Sequence, residues 1–87
     1  MKRIIKVASN SSVPSVAGSI VKSLEDNKQV ELHTIGASAT SQCVKALASA
    51  RGILASKGYN LTFVPGFGST EIEGQEKTMM IFRVIID

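Results

Sequence analysis

The chain has 87 residues, 44% of them apolar and 20% charged, with a formal net charge of +3. This balance excludes a disordered tail, and a single cysteine excludes a disulfide scaffold; one domain spanning residues 1–87 is expected, able to bury roughly 60–65% of its unfolded surface. The N-terminus lacks the apolar core of a signal peptide, and the longest apolar run, Met79 to Ile86, is broken by Arg83 and falls far short of the ~20 residues of a membrane span, so a cytoplasmic protein without membrane contact is expected.

Lys2 to Ala8 is β-branched with basic residues interspersed, which predicts a strand whose charges blunt a sheet edge. In the following Ser9-Asn10-Ser11-Ser12 loop, Ser11 or Ser12 can cap a helix, and Pro14 is tolerated in its first turn. That helix runs to about Asp26, with Val13, Val16, Ala17, Ile20, Val21 and Leu24 forming a stripe of roughly 140°, which one sheet face can cover. After a turn at Asn27 and Lys28, Gln29 to Ile35 alternates as a second strand. Gly36 and Ala37 then lead into a long second helix, with Gly58 as its left-handed terminator. Asn60 to Val64 predicts a third strand stopped by Pro65, Gly66 to Lys77 a flexible hairpin arm, and Thr78 to Ile86 the last strand. The fold class is therefore α+β: a two-layer βαβαββ sandwich, with a mixed four-stranded sheet and two helices on one face.

The second helix is anomalous. Its apolar residues, from Ala39 and Cys43 through Val44, Leu47 and Ala48 to Ile53, Leu54 and Ala55, spread over roughly 220° of the circumference, too wide for one sheet. The surplus predicts a homodimer through this helix and the sheet, helped by strand residues such as Phe82, which Ala46→Glu or Ala50→Glu should split if either residue lies at the contact. The remaining arc holds Ser38, Ser41, Gln42, Lys45, Ser49 and Gly52, with no carboxylate. Arg51 lies inside the apolar arc and must snorkel, pair with an acid or reach a ligand.

Catalytic chemistry finds little support. His33 is the only histidine and fits a structural position on a strand; one His and one distant Cys make no metal set; and Gly66-x-Gly68 opens a hairpin, not the helix a dinucleotide fingerprint needs. The chain reads as a non-enzyme with no cofactor and no small-molecule substrate. Two stretches differ: Ser9 to Ser12 and Gly36 to Thr40 are hydroxyl-rich and precede helix N-termini, where unpaired amides and the helix dipole favour an anion such as phosphate. Capping accounts for one or two of these hydroxyls. The candidate contact set is Ser9, Asn10, Ser11, Ser12, Ser38, Gln42, Lys45, Ser49 and Arg51, with a solvated helix face as the alternative for the strip and a structural ion pair as the alternative for Arg51. Charge runs the same way: residues 1–57 carry eight Lys or Arg against three acids, and residues 58–87 two against four.

S-N-S-S-V-P-S-V-A-G near the start, T-I-G-A-S-A-x-x-Q-x-V-K-A-x-A-x-A-R-G in the middle and I-x-G-Q-E-K-T before the last strand together resemble the stage V sporulation protein S family. The resemblance implies a bacterial sporulation regulator with an Alba-like fold that binds nucleic acid, DNA or RNA, as a dimer; the alternative is a protein-interaction module of the sporulation machinery that touches no nucleic acid. Alba proteins grip with a first loop that carries lysine and with a basic arm. Here the first loop has no lysine, and the hairpin carries Glu71, Glu73 and Glu76 against Lys77. Contact should therefore centre on the helices and the serine loop.

Overall fold

The computed structural model describes residues 1–87 as β1 (Lys2–Val7), α1 (Val13–Glu25), β2 (Gln29–Thr34), α2 (Ala37–Ala55), β3 (Leu61–Ile72) and β4 (Gln75–Ile86). The sheet order is β1-β2-β4-β3, with β1 parallel to β2 and the other two pairings antiparallel. This is the expected mixed sheet with two helices, which bury one face of it. No helix is long and apolar enough to cross a membrane.

Alternation along each strand decides which side chains meet the helices. Ile5 and Val7 of β1, Val30 and Leu32 of β2, Leu61 of β3, and Phe82 and Val84 of β4 are buried against Ile20, Leu24, Leu47 and Leu54. Both helices end where a residue can take positive φ. Asn27 (φ 60°) terminates α1, with Lys28 N donating to Ser23 O at 3.0 Å and Asn27 N to Leu24 O at 3.0 Å. Gly58 (φ 87°) terminates α2 in the same way, with Tyr59 N donating to Leu54 O at 3.0 Å and Gly58 N to Ala55 O at 3.1 Å. Lys57 Nζ reaches Glu25 Oε2 at 2.6 Å and ties the two helix ends together.

The hairpin departs from the sequence reading. Pro65 does not stop the third strand, and the arm is not a loose loop: β3 and β4 pair without a break from Leu61↔Ile86 to Ile72↔Gln75. Because β3 is an edge strand with one neighbour, a missing amide that would face solvent costs no ladder bond, so Pro65 sits opposite Phe82 within the strand. Glu73 (φ 51°) and Gly74 (φ 78°) form a two-residue turn whose positive angles match the right-handed twist of the flanking strands. Gly68 is a second requirement. A Cβ there would lie 2.6 Å from Ile81 Cδ1 and 3.0 Å from Met79 Cε, so its absence lets both side chains lie across β3. The paired arm stretches the molecule to 44 × 25 × 18 Å.

The wide apolar arc of α2 is only partly used. Ala39, Cys43, Ala46, Leu47, Ala50 and Leu54 are buried, whereas Val44, Ala48, Ile53 and Ala55 face solvent. Phe82 does not join them at the surface. It is 3% exposed and packs edge-on against Phe63, with ring centroids 5.4 Å apart, so Phe63 is the aromatic that borders the exposed flank of α2. Ala46 and Ala50 are likewise core residues of the single chain, and glutamates there would unfold the protomer before they could report on a dimer.

Candidate nucleic-acid interface

The carboxyl ends of β1 and β2 lie side by side, and α1 and α2 both begin there. The parallel pairing brings the serine loop beside the entry to α2. Most of the loop's polar groups hold the corner together. Ser11 Oγ accepts from Ala8 N at 2.8 Å, Ser12 Oγ caps α1 by accepting from Ser15 N at 3.4 Å, and Gln42 Nε2 donates to Ser11 O at 2.9 Å, pinning α2 to the loop. Thr40 Oγ1 donates to Gly36 O at 2.9 Å and lies 2.8 Å from Thr34 Oγ1, so it secures the end of β2 and caps no amide of α2.

What remains is open to a ligand. Gly36 precedes α2 with no side-chain cap, so the first-turn amides have no side-chain acceptor. They border a groove of about 760 Å³ lined by Ser9, Ser38 and Lys6 on one side and by Thr70, Glu71 and Ile72 of the arm on the other. Lys6 forms no ion pair within the chain. Its ammonium, the hydroxyls of Ser9 and Ser38 and the positive end of α2 give this wall an anion-favouring character, while Glu71 opposes it from the arm.

His33 lines the same groove, but its Nε2 lies 3.0 Å from Glu31 Oε1, while Lys2 Nζ donates to Glu31 Oε2 at 3.2 Å. The His33 hydrogen bond and, after it, the Lys2 hydrogen bond hold the Glu31 carboxyl below its ordinary value. Cys43 is enclosed, and burial pushes its thiol up to about 11, far from a reactive thiolate.

The nine residues singled out from sequence thus fall in four places. Ser9 and Ser38 meet at the groove, with Asn10 exposed next to Ser9; Ser11, Ser12 and Gln42 are spent on the corner's own hydrogen bonds. Lys45 and Ser49 are exposed on α2. Arg51 lines a separate groove of about 360 Å³ with Val44, Leu47, Ala48, Leu61, Thr62 and Phe63, and forms no ion pair within the chain. Lys6 is the cation the sequence reading passed over. Its signal was its place as the last outward-facing residue of a strand that runs into the serine loop.

The architecture matches that of Alba from Thermoplasma volcanium, with a TM-score of 0.63 over 98% of this chain and 99% of that chain, at 11% sequence identity. At that identity the likeness is one of fold. The model of the stage V sporulation protein S family matches residues 3–87, and the chain belongs to that family.

Proposed function

We propose that this protein is a cytoplasmic, non-catalytic regulator of sporulation that binds nucleic acid, DNA or RNA, as a homodimer. The observation that carries the reading is the groove at the strand ends, where an uncapped helix N-terminus, two free hydroxyls and an unpaired lysine converge. A phosphate there would meet amides and the Lys6 ammonium without displacing any hydrogen bond of the fold. Lys45 extends the positive surface along α2. The dimer contact is the α2–β3 groove, where Val44, Ala48 and Phe63 leave apolar surface uncovered beside Arg51. A two-fold axis there would double the number of phosphate sites.

Titration of labelled duplex DNA and single-stranded RNA at two salt concentrations tests this. Each neutralised phosphate on duplex DNA contributes a log-log slope of about −0.9, so Lys6→Ala should lower the slope by roughly two units in a dimer and weaken all sequences alike; Lys45→Ala should act in the same direction. Binding of either nucleic acid that ignores salt, or that is indifferent to Lys6, Lys45 and Arg51 alike, would refute the reading. The second reading, a protein-interaction module, is favoured by one observation: the arm presents Glu71, Glu73 and Glu76, which phosphates repel and a cationic protein surface attracts.

A further inference from the structure

The sheet face opposite the helices is bare, and it is not the polar surface that an uncovered face normally presents. Ile4, Val64 and Ile85 stand 46%, 43% and 41% exposed there, on three different strands. Over its four-stranded part the charged groups of this face are Lys2, Lys6 and Arg83 against Glu31, with Lys77 on the same side farther out along the arm; Glu31 is already engaged by Lys2 and His33, which leaves Lys6 and Arg83 without an ion pair. Two such faces would repel each other if stacked. The face carries no exposed aromatic ring on which a base could stack, since its one ring, His33, is hydrogen-bonded and half-buried. Its partner should therefore join aliphatic groups to carboxylates.

The chain itself carries such an element. At the arm tip Glu71 sits directly opposite Glu76, an unfavourable placement of like charges, and Glu73 follows in the turn. None of the three forms an ion pair within the chain. Between Glu71 and Glu73 in sequence lies Ile72, 44% exposed. The acids outnumber Lys77 by two, which is the excess of cations over Glu31 on the sheet face. We propose that the arm tip of one copy docks end-on against the bare sheet face of a second copy, with Ile72 on the aliphatic residues and the glutamates on Lys6 and Arg83. End-on entry is required because Glu71 and Ile72 point to opposite faces of the arm. The contact leaves the exposed flank of α2 free. A reciprocal exchange closes into a pair, and a head-to-tail arrangement grows into a chain.

Sedimentation velocity on nucleic-acid-free protein tests this, at concentrations up to roughly 500 µM because exposed ion pairs contribute little singly. The size at about 0.5 M salt, where charges are screened over a few ångströms, defines the basic unit, monomer or dimer. At about 0.05 M salt the wild type should form species larger than that unit. Glu71→Lys/Glu76→Lys should abolish them, as should Lys6→Glu/Arg83→Glu; an equimolar mixture of these two variants, with complementarity restored in both directions, should regain them. If the second variant loses its native circular dichroism, Lys6→Gln/Arg83→Gln takes its place and should weaken the assembly without mixing rescue. A wild type that keeps its basic size at low salt overturns the proposal. So does assembly unchanged by either variant, or failure of the two folded charge-reversed variants to associate. Since no nucleic acid is present, the outcome is independent of the function proposed above.

Discussion

Val44→Lys separates dimer energetics from folding. Val44 is 42% exposed on α2 and lines the groove with Arg51 and no carboxylate, so a lysine there finds a like charge and no acid among the groove residues. In the single chain the change is mild: an exposed helix position accepts lysine at least as well as β-branched valine, and surface substitutions of this kind stay within about 0.5 kcal/mol. In a dimer closed over the groove the ammonium becomes a buried, unpaired charge, at a cost of about 3 kcal/mol or more. That corresponds to at least a hundredfold in Kd, and two-fold symmetry imposes it twice. Ala46→Glu, two residues away, should behave in the opposite way. Ala46 is 0% exposed in the protomer, and a carboxylate forced into that core costs several kcal/mol of the ~4–13 kcal/mol that stabilise a domain of this size. Sedimentation equilibrium and urea unfolding read the two quantities separately. Val44→Lys should be a folded monomer and Ala46→Glu an unfolded or strongly destabilised chain. A Val44→Lys protein that dimerises with wild-type affinity, or a wild type that is monomeric at micromolar concentration, would show that the exposed arc of α2 is not the dimer contact.

Three further outcomes test the fold. Ser23 is 1% exposed and its Oγ has no hydrogen-bond partner, so Ser23→Ala removes an unsatisfied hydroxyl from a helix and should raise stability by about 1 kcal/mol, several degrees in thermal midpoint. Because the Glu31 carboxyl is held below its ordinary value of 4.5, it stabilises the fold above that pH and the contribution is lost as the pH falls through the lowered folded value; Glu31→Gln should flatten this part of the acid limb in urea midpoints measured from pH 6 downward, and an unchanged acid limb would refute the His33 and Lys2 assignment. Cys43, buried and with its thiol pushed up to about 11, should resist a thiol reagent at about pH 8 until denaturant is added, and rapid labelling of the native protein would contradict its placement in the core.

Element order, helix stripes and terminators were legible in the sequence because each rests on a local rule. Period 3.6 marked the α1 core residues, alternation marked β2, and Asn27 and Gly58 could take the angles that end a helix. The arm is not legible in the sequence because Pro65 reads locally as a strand breaker. Its effect depends on whether β3 has one neighbour or two, which is a property of the sheet order and not of residues 60–72. Phe82 differs for a related reason: both Phe63 and Phe82 fit a strand, and only the sheet order, with β4 inside and β3 at the edge, decides which one meets solvent.

The candidate site was half legible, and the dividing line is physical. Hydroxyls before a helix can be identified from sequence, but whether each caps, ties a corner or stays free depends on partners elsewhere in the chain. Gln42 reads as a surface donor on the strip until the Ser11 carbonyl is placed 2.9 Å from it. Lys6 reads as an edge charge until the parallel pairing of β1 with β2 carries the strand end to the entry of α2. Under the proposed nucleic-acid reading, the same pairing supplies the cation that the serine loop lacks. A cation at the last outward position of β1 lines the groove that the loop borders, so the positive charge comes from the strand, whose backbone is fixed by the ladder, and the loop is left to supply hydroxyls. Glu71 on the opposite wall then limits what the groove accepts: an anion seated against α2 is favoured, and one seated against the arm is repelled.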